Sequence, residues 1–375
     1  MPKLDKLLLR YNLTSFPVVK IDSVIDYEQP GKYIVRSTRY DDAYPTPVLT
    51  AGQTFILGYT NEKSGIYAAS KDNPVIIFDD FTGAFKWVDF PFKVKSSAMK
   101  LLTAKENAIS LRYFFHLMGH INFTSDEHKR LWIATYSNFS IPLPPLEVQQ
   151  EIVRILDQFT ELTAELTAEL TARKKQFTFY QTALFQQPPN ATVKYLDEIS
   201  ENCDNLRKPV TSGNRIKGNY PYYGASGIVD YVDNYIFDGD YLLVSEDGAN
   251  LLARSTPIAF SITGKNWVNN HAHVLHFEEY ATRRYVEFYL NAMDLSPYVT
   301  GGAQPKLNQK NLNRIPILLP PLPEQRRIVS ILDRFDALCN DLTSGLPAEI
   351  AARQKQYEYY RDKLLTFPER KEADA

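Results

Sequence analysis

Cysteine is scarce: among 375 residues only Cys203 and Cys339 occur, far apart and in no CxxC pair. A disulfide framework is thereby excluded, and a reducing compartment, the cytoplasm, is the expected setting. Neither sign of charge dominates, since 42 Lys and Arg against 44 Asp and Glu leave a formal net charge of −2. A uniformly basic coat for nucleic acid is therefore ruled out, and any DNA contact must come from local patches. No run approaches the ~18 apolar residues of a membrane span, and no secretory leader opens the chain. A G-x-x-x-x-G-K-[ST] loop is missing as well, which removes an ATPase site of that kind. Aromatics are what is plentiful: 24 Tyr and 21 Phe, in a globular composition that is 44% apolar and 23% charged. A chain of 375 residues has room for two or three domains, each with its own core.

One awkward segment occurs twice. LPPLEVQQEIVRILDQF begins at Leu143 and LPPLPEQRRIVSILDRF follows 176 residues later. Further on, ARKKQFTFYQTALF (172–185) returns as ARQKQYEYYRDKLLTF (352–367), at an offset of 180. Upstream, VVKIDSVI (18–25) pairs with TVKYLDEI (192–199), and the opening LDKLL (4–8) matches RDKLL (361–365). The chain is a tandem duplication with a period of about 180 residues, too long for a solenoid repeat. It is also cyclic, because the first residues match the last turns of the final helix.

Each copy reads as a strand-rich part followed by helices. PVLTAGQTFILGYT (47–60), NPVIIFDD (73–80) and KWVDFPFKV (86–94) are strands and turns in the first. YPYYGASGIVDYV (220–232), DGDYLLVSED (238–247) and WVNNHAHVLHF (267–277) are their counterparts in the second. Short β-branched and aromatic runs bounded by Gly, Pro, Asn and Asp carry that reading. ISLRYFFHLM (109–118) and TRRYVEFYLNAM (282–293) are helical. From Glu147 the apolar residues Ile152, Ile155, Leu156, Phe159, Leu162, Leu166, Leu170, Phe177, Tyr180 and Leu184 recur at threes and fours. That spacing predicts one long helix with an apolar seam, roughly 55–60 Å in length. In the second copy Ile328, Ile331, Leu332, Phe335, Leu338 and Leu342 repeat the stripe, until Ser344-Gly345-Leu346-Pro347 interrupts it. Neither stripe can bury itself alone, so packing one copy's helix on the other's is expected.

Signals of catalysis are thin. His116 and His120 have zinc-like spacing, with His128 beyond, but the glutamate of HExxH is missing and they read as core or surface residues. His271, His273 and His276 alternate as strand residues do. Asp79-Asp80 and Glu246-Asp247, at strand ends in equivalent places, would suit Mg²⁺ and phosphodiester chemistry, or else solvated turns. A metal-dependent nuclease is the rival reading they carry, and a coiled-coil scaffold that never touches DNA is another. Polar residues cluster around the same strands. In the first copy these are Thr50, Gly52, Gln53, Lys86, Lys93, Lys95, Ser96, Ser97 and Lys100. In the second they are Arg215, Lys217, Tyr222, Tyr223, Ser226, Asn250, Arg254, Asn266, Asn269, Asn270, Gln304 and Lys306. Lys and Arg suit phosphates and guanine edges, and Asn and Gln pair with adenine, so the class points to DNA contact.

IPLPPLEVQQEIVRILDQF and IPILLPPLPEQRRIVSILDRF, each after about 140 strand-rich residues, resemble the conserved regions of the specificity subunit of Type I restriction-modification enzymes. TELTAELTAELTA (160–172) and TGGAQPKLNQKNL (300–312) resemble them too, and the likeness covers essentially the whole chain. It implies an α+β protein with two mixed α/β target recognition domains, separated by two long helical, coiled-coil-like regions in a pseudo-two-fold arrangement. The expected division is 1–143 and 188–319 for the recognition domains, 144–187 for the central helix and 320–375 for the distal helical region. Implied too are a bipartite, asymmetric double-stranded DNA site, two adenine-methylating subunits carrying S-adenosylmethionine, and ATP- and Mg-dependent restriction subunits. No cofactor, metal or catalytic residue is implied for this chain itself, and no membrane. Ile155, Leu156, Phe159, Leu162, Leu166, Leu170, Ile331, Leu332, Phe335 and Leu338 are the helix seam and docking candidates. One departure stands out: MGHINFTSDEHKRL (118–131) replaces the GG-x-Q-P-x-L segment in the first copy. A two-fold duplication lets two identical partners dock on equivalent helices while the recognition parts diverge.

Overall fold

The computed structural model describes residues 4, 6–7, 16–52, 54–105, 108–121, 130–247, 250–301 and 304–367. Two compact units divide the chain: Met1–Glu165 with Ala351–Ala375, and Leu166–Ile350. Both divisions fall inside helices rather than in loops.

In the first unit β1 (Val18–Lys20) passes through a helical turn into β2 (Ile25–Glu28). Then come β3 (Thr46–Leu49), β4 (Ile56–Thr60), β5 (Val75–Asp79), β6 (Phe85–Val88), β7 (Lys93–Val94) and β8 (Met99–Ala104). Helix α1 (Leu111–His120) and β9 (Ser140–Pro142) precede the Pro-Pro loop that opens α2 (Leu146–Gln186). One sheet has the order β2-β8-β5-β6, and a smaller one β4-β3-β7 with β3 and β7 parallel. β1 pairs antiparallel with β9, which brings the start of the domain to the start of the long helix.

The second unit repeats this plan. Its strands are β10 (Thr192–Lys194), β11 (Glu201–Asn202), β12 (Lys217–Gly224), β13 (Gly227–Val232), β14 (Phe237–Asp238), β15 (Tyr241–Ser245), β16 (Ala259–Ile262), β17 (Lys265–Val268) and β18 (Ala272–His276). Helix α3 (Tyr280–Ala292), β19 (Ile317–Leu319) and α4 (Leu322–Asn340) follow, and then α5 (Leu346–Leu365), which belongs to the first unit from Ala351 onward. The sheets run β11-β18-β15-β16 and β13-β12-β17-β14, with β12 and β17 parallel and β10 paired to β19. Strand for strand this is the first unit's order with β14 added, although the strand sequences match poorly.

The continuous apolar runs explain why the central strands sit inside. Along β5, Ile76 and Phe78 enter the core shared with α1 and α2, while Val75 and Ile77 enter a second core under the small sheet. Successive side chains point to opposite faces, so a strand covered on both faces must be apolar throughout. Leu242 and Val244 against Leu243 divide β15 in the same way.

The helical stripe divides by burial. Val148, Ile152, Ile155 and Leu156 belong to the first unit's core, and Phe185 to the second's. Between them Leu162 is exposed and Leu166 and Leu170 only half-buried. In α4, Ile328 and Leu332 are buried, Ile331 and Phe335 half-buried, and Leu338 exposed. The break after α4 is a tight turn in which Asp341 accepts from the backbone N–H and hydroxyl of Thr343. A Cβ on Gly345 would lie 2.5 Å from the carbonyl oxygen of Ala337, so only glycine fits there.

Both copies contribute to each unit, as the cyclic duplication requires. Phe159 stacks on Tyr360 at 5.2 Å in the first unit, and Phe335 packs on Tyr180 at 5.5 Å in the second. Matching polar fasteners tie the domains to their helices. Arg112 donates to Asp157 at 2.8 Å and Arg284 to Asp333 at 2.9 Å. Tyr113 donates to the carbonyl of Pro142 and Tyr285 to that of Leu318, while Gln149 and Gln325 bond the carbonyls of Pro144 and Pro320.

Candidate nucleic-acid interface

Backbone and side-chain hydrogen bonds gather several loops at the end of β15. The Ser245 hydroxyl donates to the carbonyl of Ala225 at 2.5 Å, drawing in the β12–β13 turn. Glu246 N–H donates to the carbonyl of His271, and Leu307 N–H to that of Glu246 at 2.7 Å. Thr300 and Lys306 exchange backbone bonds at 2.8 and 2.6 Å. That narrow loop needs Gly301, whose φ is +87°. Asp247 meets the His271 imidazole at 2.9 Å, with the Lys306 ammonium 3.9 Å away. Ser226, Asn270, Gln304 and Lys306 are exposed on this cluster.

The first unit builds the same junction from other residues. Asp80 N–H donates to the carbonyl of Ala98, and Leu131 N–H to that of Asp80 at 2.7 Å. Lys95 N–H bonds the carbonyl of Leu49, beside a turn closed by Thr50. Lys95, Ser96 and Ser97 are exposed there, and Gly52 and Lys86 half-buried. Gln53, His128 and most of the replaced segment at 118–131 lie outside the described residues. The ladders shift one equivalence: Asp79 stands opposite Met99 and Ser245 opposite Ala272, so Asp80 matches Glu246. The two acidic pairs are thus one residue out of step.

Several expected DNA contacts are structural instead. Lys93 is 2% exposed and spends its ammonium on the carbonyls of Ser64 and Gly65 and the carboxylate of Glu62. Lys100 is fully buried, 2.9 Å from Asp80 in a charge pair lying off the line of a hydrogen bond. Tyr222 is buried beneath the Arg215 guanidinium, and its hydroxyl bonds the Val210 backbone. Arg215 itself is held by Asp230 and the carbonyl of Val210. Asn266 is buried against the carbonyl of Gly264, and Asn269 accepts from His271 N–H. Asn250 closes the loop at Ser255 and Thr256, and Arg254 caps the carbonyls of Leu290 and Asn291. The Thr50 hydroxyl likewise bonds its own turn, at the carbonyl of Thr54. Lys217 is exposed, and Tyr223 half-buried against Phe260. Some of these partners are distant in the chain, as Glu62 is for Lys93 and Asp80 for Lys100, and others lie in the residue's own turn, as Gly264 does for Asn266.

Removing one partner of a buried pair leaves an uncompensated charge, at a cost of about 3–5 kcal/mol. Lys100→Met is therefore expected to lower the first unit's urea midpoint sharply. Any DNA preference of the folded protein should stay as it was. A folded, fully stable variant with altered preference would return Lys100 to the interface.

The histidines and acids have protein partners too. Burial pushes the His116 pKa down, so its neutral ring donates from Nε2 to Asp157 and accepts from Tyr357 at Nδ1. His120 bonds Asp362, and buried His273 joins Asp204 to the carbonyl of Leu307. His276 is half-buried beside Tyr241. Asp79 accepts from the N–H groups of Phe81 and Thr82, and Glu246 pairs with Arg207 at 2.7 Å. Each carboxylate thus faces a different partner rather than a shared centre. Among the described residues no three His, Cys, Asp or Glu side chains converge as metal ligands.

The chain is thus a duplicated fold, in which one strand plan carries two unlike sets of exposed loop residues. Residues 15–173 and 188–352 both match the Type I restriction modification DNA specificity domain, and the chain belongs to that family. It is 41% identical to the Type I restriction enzyme EcoR124I/EcoR124II specificity subunit of Escherichia coli, over 98% of each chain. A putative type I restriction enzyme specificity subunit of Haemophilus influenzae is 44% identical over 47% of this chain and 46% of its own. In fold the chain is similar to the S subunit of a Type-I restriction-modification system from M. genitalium, with a TM-score of 0.65 at 15% identity. That match covers 96% of this chain and 98% of the other. Among the described residues no helix is long and apolar enough to cross a membrane.

Proposed function

We propose that this chain is the non-catalytic DNA reader of a Type I restriction-modification complex. Each unit takes one half of a bipartite, asymmetric double-stranded site. The observation that carries the reading is the loop junction repeated in both units. It presents Lys95, Ser96 and Ser97 in one and Ser226, Asn270, Gln304 and Lys306 in the other. Equal scaffolds with unlike donors and acceptors suit two half-sites of different sequence. The equivalent helices support docking of two copies of a methylation subunit, which would bring S-adenosylmethionine for adenine methylation. Restriction subunits would bring the ATP- and Mg-dependent cleavage of unmodified DNA.

The test is a domain exchange. Replacing residues 20–140 with another recognition domain is expected to change one half of the methylated motif and leave the other half intact. Methylome sequencing of cells carrying the exchanged complex reads the result, and a change in both halves together would refute the modular reading. Mobility shift on random-sequence DNA separates this function from a scaffold without DNA contact. Incubation of the purified chain with Mg²⁺ and DNA is expected to yield no cleavage, whereas a nuclease at Asp79, Asp80, Glu246 and Asp247 would cut.

A further inference from the structure

The two small sheets share a defect. Along the β3–β4 ladder Pro47 faces Tyr59 and Val48 faces Gly58, but Leu49 then faces Ile56, leaving Leu57 as an extra residue. Along β12–β13, Pro221 faces Tyr231 and Tyr222 faces Asp230, but Tyr223 then faces Ile228, leaving Val229 extra. The same β-bulge thus sits at the same step of both hairpins, near the turn, since Val48 and Leu49 pair with β7 as Tyr222 and Tyr223 pair with β17. Both bulges lie on the edge strand of their sheet. A bulge re-aims side chains and recurs beside functional sites.

What it displays is apolar. Ile56 and Leu57 are each 38% exposed, Ile228 47% and Val229 56%. Edge strands ordinarily carry charge or proline against unwanted pairing, so two adjacent bare aliphatics, twice, run against the usual protection. Their neighbourhood is polar. The residue facing Ile56 is bonded through its carbonyl to Lys95 N–H, and the residue facing Ile228 to Asn269 N–H, the step before exposed Asn270. These pairs therefore stand within the loop junction and not on the helices.

A two-stranded ribbon fits the DNA major groove, where the apolar group on offer is the 5-methyl of thymine. We propose that Ile56–Leu57 and Ile228–Val229 read thymine by packing against that methyl group, one pair in each half-site. This rests on the DNA-reading function above. The flanking Lys95 and Asn270 favour nucleic acid over a protein partner, since they supply a cation and an amide where phosphates and base edges would lie.

The experiment uses the complex assembled with its methylation subunits and duplexes carrying its methylated motif. Each thymine is replaced singly by deoxyuridine, which removes only the methyl. The parent complex is expected to bind about fourfold more weakly at one or more thymines in each half-site, the worth of one buried methyl. Leu57→Ala should abolish that sensitivity in the first half-site alone, and Val229→Ala in the second alone. Both residues are exposed, and native mass spectrometry should show unchanged subunit stoichiometry. Variants as sensitive to deoxyuridine as the parent, or a parent with no sensitive thymine, would overturn the inference while leaving DNA reading intact. So would variants that shed methylation subunits yet keep the sensitivity, because the patch would then be a protein dock. A parent without any sequence preference would sink the DNA-reading function itself.

Discussion

Leu156→Asp is expected to abolish cooperative folding of the first unit and Leu332→Asp that of the second, each leaving the other unit's transition in place. Both leucines are fully buried, at matching places in the duplicated helices and in separate cores. Truncating such a leucine alone costs about 2–5 kcal/mol. A buried, unpaired carboxylate adds several kcal/mol more, against a whole-domain stability of about 5–15 kcal/mol. The control lies further along the same stripe. Leu162 and Leu338, again at matching places, are each 36% exposed. Aspartate there stays in contact with water and should shift stability by no more than about 1 kcal/mol. If the stripe docks the methylation subunits, Leu162→Asp and Leu338→Asp will fold normally yet fail to hold them. Calorimetry reads the first comparison and native mass spectrometry the second. An intact complex in the exposed-site variants would show that docking uses another face.

Much of this was legible because the duplication is written in the residues that bind helix to domain. Apolar runs such as 75–78 and 242–244 announced strands, and the threes and fours after Glu147 announced the long helix. The interface was less legible. Lys93 and Lys100 looked like members of an exposed basic loop, but Glu62 and Asp80, to which they are paired, lie just past the ends of β4 and β5. No local pattern reveals a cross-ladder partner. The shared strand order was equally hidden, since it survives in strands whose sequences no longer match. Arg112-Tyr113 and Arg284-Tyr285 were a missed signal. The repeated Arg-Tyr pair before each Pro-Pro loop marks the fasteners to Asp157 and Asp333. The bulges at Leu57 and Val229 left no sequence mark beyond an aliphatic where alternation would place a polar residue.

Deleting residues 163–166 is expected to shorten the spacer between the two half-sites by one base pair, two at most, with both half-sites unchanged. Residues 163–166 and 167–170 are the same tetrapeptide, Thr-Ala-Glu-Leu. Helix α2 runs unbroken through them, and the division between the two units falls between Glu165 and Leu166. Four residues carry a helix ~6 Å forward and about 400° round, only ~40° beyond a full turn. One tetrapeptide can therefore be lost without taking Leu170 and Phe177 off their face. A two-residue deletion would rotate everything beyond it by about 160° and expose that face, so loss of assembly is expected there. DNA rises ~3.4 Å and turns about 35° per base pair. The ~40° residual turn of the helix matches one base-pair step, while the ~6 Å shift approaches two. Rotation decides between them, because each recognition surface must still meet the same groove. Any tilt of the helix from the DNA axis shortens the effective shift further toward one. The methylated motif in cells carrying the deletion is the readout. An active enzyme with its original spacer would show that this helix does not set the distance.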